Sequence, residues 1–133
     1  VIQKGNDAMN YFRTNEPIYL QLINLIKLDI IKGIYPEGSQ CPSVRDLAEK
    51  YGINPGTVQK SLTLLEEEGL LKAENTSGHF IVLGEENRQK ILQETAIRLT
   101  KEYLDKMQEL GYNDQDIRNQ IKTNQKKVSK KNG

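Results

Sequence analysis

The sequence predicts a mainly α-helical fold with a small β-hairpin, in which three helices precede the hairpin and a helical segment follows it. Three observations lead to this prediction. Apolar residues recur at helical spacing in the first half of the chain, two short apolar runs flank a polar loop near residue 76, and a long second helical period begins near residue 86. The length of 133 residues suits one domain, or one small domain with an appendage.

The composition predicts a soluble, folded protein and makes the position of each charge more informative than the net charge. The chain is 36% hydrophobic and 28% charged, and it has no apolar run long enough to cross a bilayer. Residues 16–83 hold six Lys/Arg and nine Asp/Glu, a net charge of −3, whereas residues 84–133 hold eleven and eight, a net of +3. A prediction of nucleic-acid binding for residues 16–83 must therefore rest on where their charges lie.

The N-terminal extension, residues 1–15, precedes the first predicted helix. Residues 1–8 have no pattern, and two origins stay open for them: natural sequence, or residues added for expression before a natural start at Met9. Pro17 then suits a helix start and Gly33 suits a helix stop. The residues between them that follow a helical apolar period are Ile18, Leu22, Leu25, Ile26 and Ile30.

Two short helices come next, joined by a tight turn. Ser43 is a typical N-cap with Asp46 three residues later, and the helix ends at Gly52. Asn54 caps the following helix and Pro55 suits its first position. Two short helices separated by so few residues form a helix-turn-helix.

The third helix has one apolar side and one polar side. At about 100° per residue, Val58, Leu62 and Leu65 fall together and predict the buried stripe. Gly56, Gln59, Lys60 and Thr63 lie on the far side, within the N-terminal turns that contact base edges in helix-turn-helix proteins. The acids Glu66, Glu67 and Glu68 lie beyond these turns, so we expect them to face solvent and to leave DNA untouched.

Residues 70–73 and 79–83 predict two strands, with residues 75–78 as their loop, so a hairpin follows the third helix directly and forms a wing. Residues 84–124 predict a long helix and a shorter one, separated by Gly111 and the N-cap Asn113. Residues 125–133 are basic and predict a flexible tail.

An apolar stripe along the long helix has two interpretations. It either packs on its own domain or, as its heptad-like spacing favours, forms a dimer interface. Its predicted interface residues are Leu92, Ala96, Leu99, Tyr103, Met107 and Leu110.

Residues 16–82 resemble the winged helix-turn-helix of GntR-family bacterial transcription regulators. The resemblance rests on Pro17-Ile18-Tyr19, Pro36-Glu37-Gly38, Pro42-Ser43-Val44-Arg45, Leu47-Ala48, Thr57-Val58 and Leu65-Glu66-Glu67-Glu68-Gly69-Leu70. The segment after the hairpin, about 50 residues long, is most similar to the short YtrA-type subfamily, in which two helices serve dimerisation. The resemblance implies a cytoplasmic regulator, a repressor in our expectation, which binds a pseudo-palindromic double-stranded operator as a homodimer.

The predicted DNA-binding residues are Ser43, Arg45, Asn54, Gly56, Thr57, Gln59, Lys60, Lys72, Ser77, Gly78 and His79. Gln59 stands where many relatives carry arginine, and glutamine prefers an adenine edge. The wing has the acid Glu74 and no basic residue except His79, which predicts a weak wing contact.

Several interpretations remain beside these. The winged helix can serve as a protein-interaction module, although residues 56–63 include no acid. An enzyme is not expected, because one His, one Cys and no ligand-spaced acids supply neither a nucleophile nor a metal site, and we predict no cofactor and no metal. Cys41 is a small core residue rather than a redox sensor, and His79 a surface residue rather than a ligand or pH sensor. No effector can be named.

Overall fold

The computed structural model describes residues 12, 13 and 15–132, with side chains to residue 127. Residues 1–8, whose origin the sequence left open, lie outside the described residues. One compact unit ends at Gln93 and a second begins at Glu94. The helices and strands are α1 (Ile18–Ile31), α2 (Val44–Tyr51), α3 (Pro55–Glu67), β1 (Leu71–Ala73), β2 (His79–Ile81), α4 (Gly84–Glu109) and α5 (Asp114–Asn132).

The predicted fold class is confirmed: the described chain is mostly helical and has one two-stranded antiparallel sheet. The core of the first unit is built where the helical periods of α1, α2 and α3 predict it. Leu22, Ile26 and Ile30 of α1 pack in one cluster with Leu47, Val58, Leu62 and Leu65, and all seven are almost fully buried. The prediction was wrong for Ile18, which is exposed because it lies in the first turn of α1, ahead of this cluster.

The start of each short helix is fixed by its own side chains. The Ser43 hydroxyl accepts a hydrogen bond from the Asp46 amide at 3.0 Å, and the Asp46 carboxylate accepts one from the Ser43 amide at 3.4 Å. The Asn54 side chain accepts from the Gly56 amide at 2.7 Å, with Pro55 at the first helical position. These caps satisfy amides that a helix start leaves free, so the turn between α2 and α3 is locally encoded.

The wing is held by a strand segment that the sequence did not predict. β1 pairs antiparallel with β2, Leu71 opposite Ile81. On the other edge of β2, the Cys41 amide donates to the His79 carbonyl at 2.8 Å and the Ile81 amide donates to the Ser39 carbonyl at 2.9 Å. Burial raises the pKa of the Cys41 thiol to about 11, so the thiol stays protonated and acts as a small apolar group.

The two last helices are separated as predicted. Gly111, with φ of +88°, follows the end of α4 in the left-handed conformation, and the side chain of Asn113 accepts from the Asp116 amide at 2.8 Å at the start of α5. The predicted tail differs: α5 continues to Asn132, because residues 125–132 contain no glycine or proline and are rich in lysine, which favours helix. In the described part of the chain, none of the helices has the length and apolar character needed to cross a membrane.

Candidate nucleic-acid interface

The outward side of α3 begins with a polar strip. Gly56, Gln59 and Thr63 are exposed, and the Gln59 amide nitrogen lies 3.3 Å from the Thr63 hydroxyl. This contact joins two side chains of the same helix and leaves the carbonyl of the Gln59 amide outward. The strip carries hydrogen-bonding groups and no charge, as the helical period predicted.

One flank of α3 is attached to α1 at three places. The hydroxyl of the buried residue Ser61 donates to the backbone carbonyl of Tyr19 at 2.8 Å. The Lys60 ammonium lies 3.9 Å from the centroid of the Tyr19 ring. At the C-terminal end, Lys27 forms an ion pair with Glu68 at 2.8 Å, and the Lys27 side chain is only 12% exposed. The orientation of α3 relative to α1 is therefore fixed over the whole length of α3.

The acidic end of α3 does not lie wholly in solvent, and that part of the prediction was wrong. Glu68 pairs with Lys27, and the Glu66 carboxylate lies 3.2 Å from the Nε2 atom of His79 in β2. Glu67 is exposed, between the two paired acids. The packing of α1 and the wing on opposite sides of α3 brings a partner to each outer acid, which the sequence of α3 alone cannot reveal.

Two predicted DNA-binding residues lie at the helix starts, and a third lies one turn into α2. Ser43 and Asn54 cap α2 and α3 and are both exposed. Arg45 has a side chain that is 87% exposed, and its Nε atom lies 3.4 Å from Glu49, a long contact that an exposed pair readily gives up. Thr57, in the first turn of α3, is half-buried. Free amides at helix starts and an extended arginine both suit a phosphate group.

The wing residues have partners of their own. Lys72 lies 3.9 Å from Glu74, so this cation is partly neutralised. The Ser77 carbonyl accepts from the Gln40 amide nitrogen at 2.5 Å. Gly78 has φ of +100°, and a Cβ atom there would come within 3.1 Å of the same nitrogen. His79 is 19% exposed and faces Glu66 rather than solvent. The wing tip thus presents backbone groups more than charge.

A second, chemically different surface lies on α4. Leu92, Ala96, Leu99, Tyr103 and Leu110 are exposed, and Met107 is partly buried. Ile97 is 61% exposed and was not in the predicted stripe. From Glu94 to residue 127, the large apolar side chain that the described structure buries is Ile117. The predicted stripe is therefore apolar and accessible in a single copy of the chain.

Two residues next to the interface escaped sequence reasoning. Tyr19 contacts α3 from a position 42 residues before Ser61, and Gln40 contacts the wing from a position 37 residues before Ser77. No pattern within α1 or the turn before α2 marks these long-range contacts. The signal in the sequence was limited to their place in the ordered motifs of the first 45 residues.

Comparison with known proteins gives the same picture over most of the chain. The profile of a family described as "Bacterial regulatory proteins, gntR family" matches residues 18–81. An uncharacterised HTH-type transcriptional regulator of Bacillus subtilis, YhcF, is 30% identical over 118 residues, which cover 86% of this chain and 94% of YhcF. The HTH-type transcriptional repressor YtrA of the same organism is 38% identical over 92 residues, 69% of this chain and 68% of YtrA.

The fold of the whole chain also has a solved counterpart. A GntR family transcriptional regulator from Listeria monocytogenes superposes with a TM-score of 0.69 at 29% sequence identity. The superposition covers 84% of this chain and 98% of that protein. The similarity thus extends beyond the winged helix-turn-helix into the helices that follow it.

Proposed function

The chain belongs to the gntR family of bacterial regulatory proteins, and from this premise we propose that it represses transcription by binding a pseudo-palindromic operator as a homodimer. It has the winged helix-turn-helix domain of these regulators. The proposal has three parts: contact with bases through α3, contact with phosphates through the helix starts and the wing, and dimerisation through α4 and α5.

The observation that carries the proposal is the polar strip at the N-terminal end of α3. Gly56, Gln59 and Thr63 are exposed, and no buried group of the domain depends on their side chains. Helix-turn-helix proteins contact base edges with this part of the second helix. Gln59 can donate to and accept from one adenine edge at the same time, so we propose an adenine opposite Gln59 in each half-site.

Phosphate contacts are proposed for groups around this strip. Arg45 is extended and charged, and a guanidinium binds a phosphate with two parallel hydrogen bonds. Ser43, Asn54 and Thr57 lie at the first turns of α2 and α3, where free amides favour anions. The proposed wing contacts are Lys72, Ser77, Gly78 and His79. Since His79 faces Glu66 and Lys72 faces Glu74, we expect the wing to contribute less than the helices.

Dimerisation is proposed from the apolar side chains exposed on α4. A lone copy leaves Leu99 and Leu110 in water, 51% and 70% exposed. Burying an apolar side chain of this size stabilises an assembly by roughly 1.5–3 kcal/mol, so a stripe of several such residues suffices for a stable dimer. A dimer with two-fold symmetry places two α3 helices for two inverted half-sites, about one helical turn of DNA or a multiple apart.

Repression and a cytoplasmic location complete the proposal. Repression follows the name of the relative YtrA, and binding chromosomal DNA in a bacterium requires the cytoplasm. The alternative function is a protein-interaction module that uses the same winged helix without specific DNA binding. The absence of acids among residues 56–63 favours DNA, because a carboxylate near a phosphate repels it.

Selection of bound fragments from random double-stranded DNA tests the proposal. The full chain is incubated with the library at about 0.1 M salt, where phosphate contacts still contribute strongly. We expect enrichment of an inverted repeat with an adenine at a fixed position of each half-site. A chain carrying Gln59→Ala is the matched control and should enrich the repeat without that adenine. If no sequence is enriched from either chain, the interaction-module function replaces DNA recognition.

A further inference from the structure

The contact between Lys60 and Tyr19 separates two neighbouring residues of α3 that the sequence treats alike. Both Gln59 and Lys60 are exposed in the N-terminal turns. Gln59 contacts Thr63 on its own helix, whereas the Lys60 ammonium lies over the ring of Tyr19 at 3.9 Å from the centroid. This distance is within the range of about 6 Å in which an ammonium is attracted to an aromatic face.

We propose that Tyr19 is a positioning residue that holds Lys60 for a DNA phosphate on the α1 side of α3, so that Lys60 contacts no base. The inference rests on the proposed DNA binding by α3 and assigns the two polar residues different tasks. Gln59 determines base preference and Lys60 determines salt-dependent affinity.

The position of the Tyr19 ring relative to α3 is fixed by contacts other than its own. Ser61, next to Lys60 in the sequence, donates to the Tyr19 carbonyl at 2.8 Å and is fully buried. One helical turn or more further along, Lys27 and Glu68 join α1 and α3 again. The ring therefore holds Lys60 on the α1-facing flank, beside the strip formed by Gly56, Gln59 and Thr63.

A lysine held in this way suits a phosphate. The ammonium has three N–H donors, and contact with a ring on one side leaves donors for an anion on the other. A free lysine loses much rotamer freedom when it binds, and the ring removes part of that freedom before DNA arrives. A base contact would require the opposite behaviour: Lys60 would have to leave the ring and reach across the strip, and Tyr19 would then compete with DNA.

The sign of one substitution distinguishes these two cases. If the ring positions Lys60, Tyr19→Leu weakens operator binding by about two- to five-fold, the range expected for an exposed cation–π contact. If the ring competes with DNA, the same substitution strengthens binding. Tyr19→Phe is the matched control, since it keeps the ring face and removes only the hydroxyl, and it should bind as the parent chain does.

Binding of the selected operator is measured for the parent, Tyr19→Leu, Tyr19→Phe, Lys60→Met and the double variant Tyr19→Leu/Lys60→Met, at several salt concentrations. Lys60→Met keeps the apolar stem and removes the charge. We expect it to make the slope of log K against log salt shallower by about 0.9, the value for one phosphate, with base preference unchanged. In the Lys60→Met background, Tyr19→Leu should have no further effect.

A measurement without DNA tests the contact itself. The ε-methylene protons of Lys60 should show an upfield NMR shift from the Tyr19 ring in the parent chain and in Tyr19→Phe, and lose it in Tyr19→Leu. Urea unfolding of each variant shows that the chain is folded under the binding conditions. Loss of stability alone would alter neither the salt slope nor the coupling between the two substitutions.

Four results would overturn the inference: tighter binding by Tyr19→Leu, an equal loss in Tyr19→Phe, a changed base preference in Lys60→Met, or no upfield shift in the parent chain. Failure of the parent chain to bind any DNA would overturn the proposed function together with this inference. Specific binding by the parent with any of the four results would overturn the role of Tyr19 alone.

Discussion

The two compact units of this chain differ in what they leave exposed. Up to Gln93, the large apolar side chains of α1, α2 and α3 are mostly buried, and the exposed side of α3 is polar. From Glu94 on, Ile97, Leu99, Tyr103 and Leu110 are exposed, and Ile117 is the buried one among the described side chains. The first unit has a core sufficient for its own fold, whereas the second has apolar surface without one.

This difference indicates two kinds of partner. A folded domain that exposes hydrogen-bonding groups on one helix loses little by exchanging water for the polar edge of a nucleic acid. A helix that exposes a row of apolar groups gains most by excluding water, as a second copy of the same helix would. The contrast between the units is therefore the physical basis for assigning DNA to the first and dimerisation to the second.

The largest expected effect comes from a charge in the apolar stripe. Leu99→Glu should convert a dimer into a monomer at micromolar concentration, because the dimer would have to bury two like charges. Operator affinity should fall at least about a hundred-fold as the second half-site is lost. Sedimentation equilibrium and operator titration measure both effects.

The control for this variant is Lys90→Glu, which adds the same carboxylate nine residues earlier, about half a turn around α4. It should sediment as the parent chain does. A parent chain that is itself a folded monomer would contradict the dimer. A Leu99→Glu chain that remains dimeric would move the interface elsewhere.

A smaller effect is expected in stability, and it tests the contrast between the units directly. Leu62→Ala should lower the free energy of unfolding by about 2–5 kcal/mol, since Leu62 is 1% exposed in the core. Leu110→Ala, at 70% exposure, should change it by less than about 0.5 kcal/mol at concentrations where the chain is monomeric. Urea unfolding followed by circular dichroism gives both values, and equal losses would mean that the second unit has a core of its own.

An intermediate effect is expected within the polar strip of the first unit. Gln59→Ala should reduce discrimination at one base position of each half-site by about 1–3 kcal/mol, because one bidentate contact is lost. Affinity for unrelated DNA should not change, since no charge is altered. Competition binding with operators substituted one base at a time measures this, and a uniform loss over all sequences would mean that Gln59 contacts the backbone.

The smallest effect is expected from the exposed acid at the end of α3. Glu67→Gln should raise specific and non-specific affinity by similar small factors, and the gain should fade with salt, because the screening length is about 10 Å at 0.1 M. Glu109→Gln removes an exposed carboxylate of α4 and is the matched control. A changed base preference in Glu67→Gln would show that Glu67 accepts from a cytosine amine.

Hydrogen bonds and apolar spacing within each helix were predictable. The caps Ser43, Asn54 and Asn113 were identified because each acts on amides two or three residues away. Leu22, Ile26 and Ile30 were identified because a helix repeats its faces every three or four residues. The DNA-binding set and the dimer stripe remain predictions from the same local patterns, supported by the family to which the chain belongs.

Partners of charged side chains were not predictable in this way. The sequence indicated that Glu66, Glu67 and Glu68 would all lie in solvent, yet Lys27 and His79 contact the two outer acids. Likewise, Lys60 was expected on an open face and lies over Tyr19. Pairs of this kind differ by only about 0–1 kcal/mol from full hydration when exposed, so no residue pattern is needed to form them.

The sequence by itself determined where helices start and stop, which sides they bury, and the class of regulator to which the chain belongs. Only the tertiary structure decided that Ser39–Cys41 joins the wing, that the outer acids of α3 are paired, and that Lys60 and Gln59 have different environments. The physical reason is range. Caps and helical periods act over a few consecutive residues, whereas these contacts join residues far apart in the chain, which become neighbours only after α1, α3 and the wing have packed on one core.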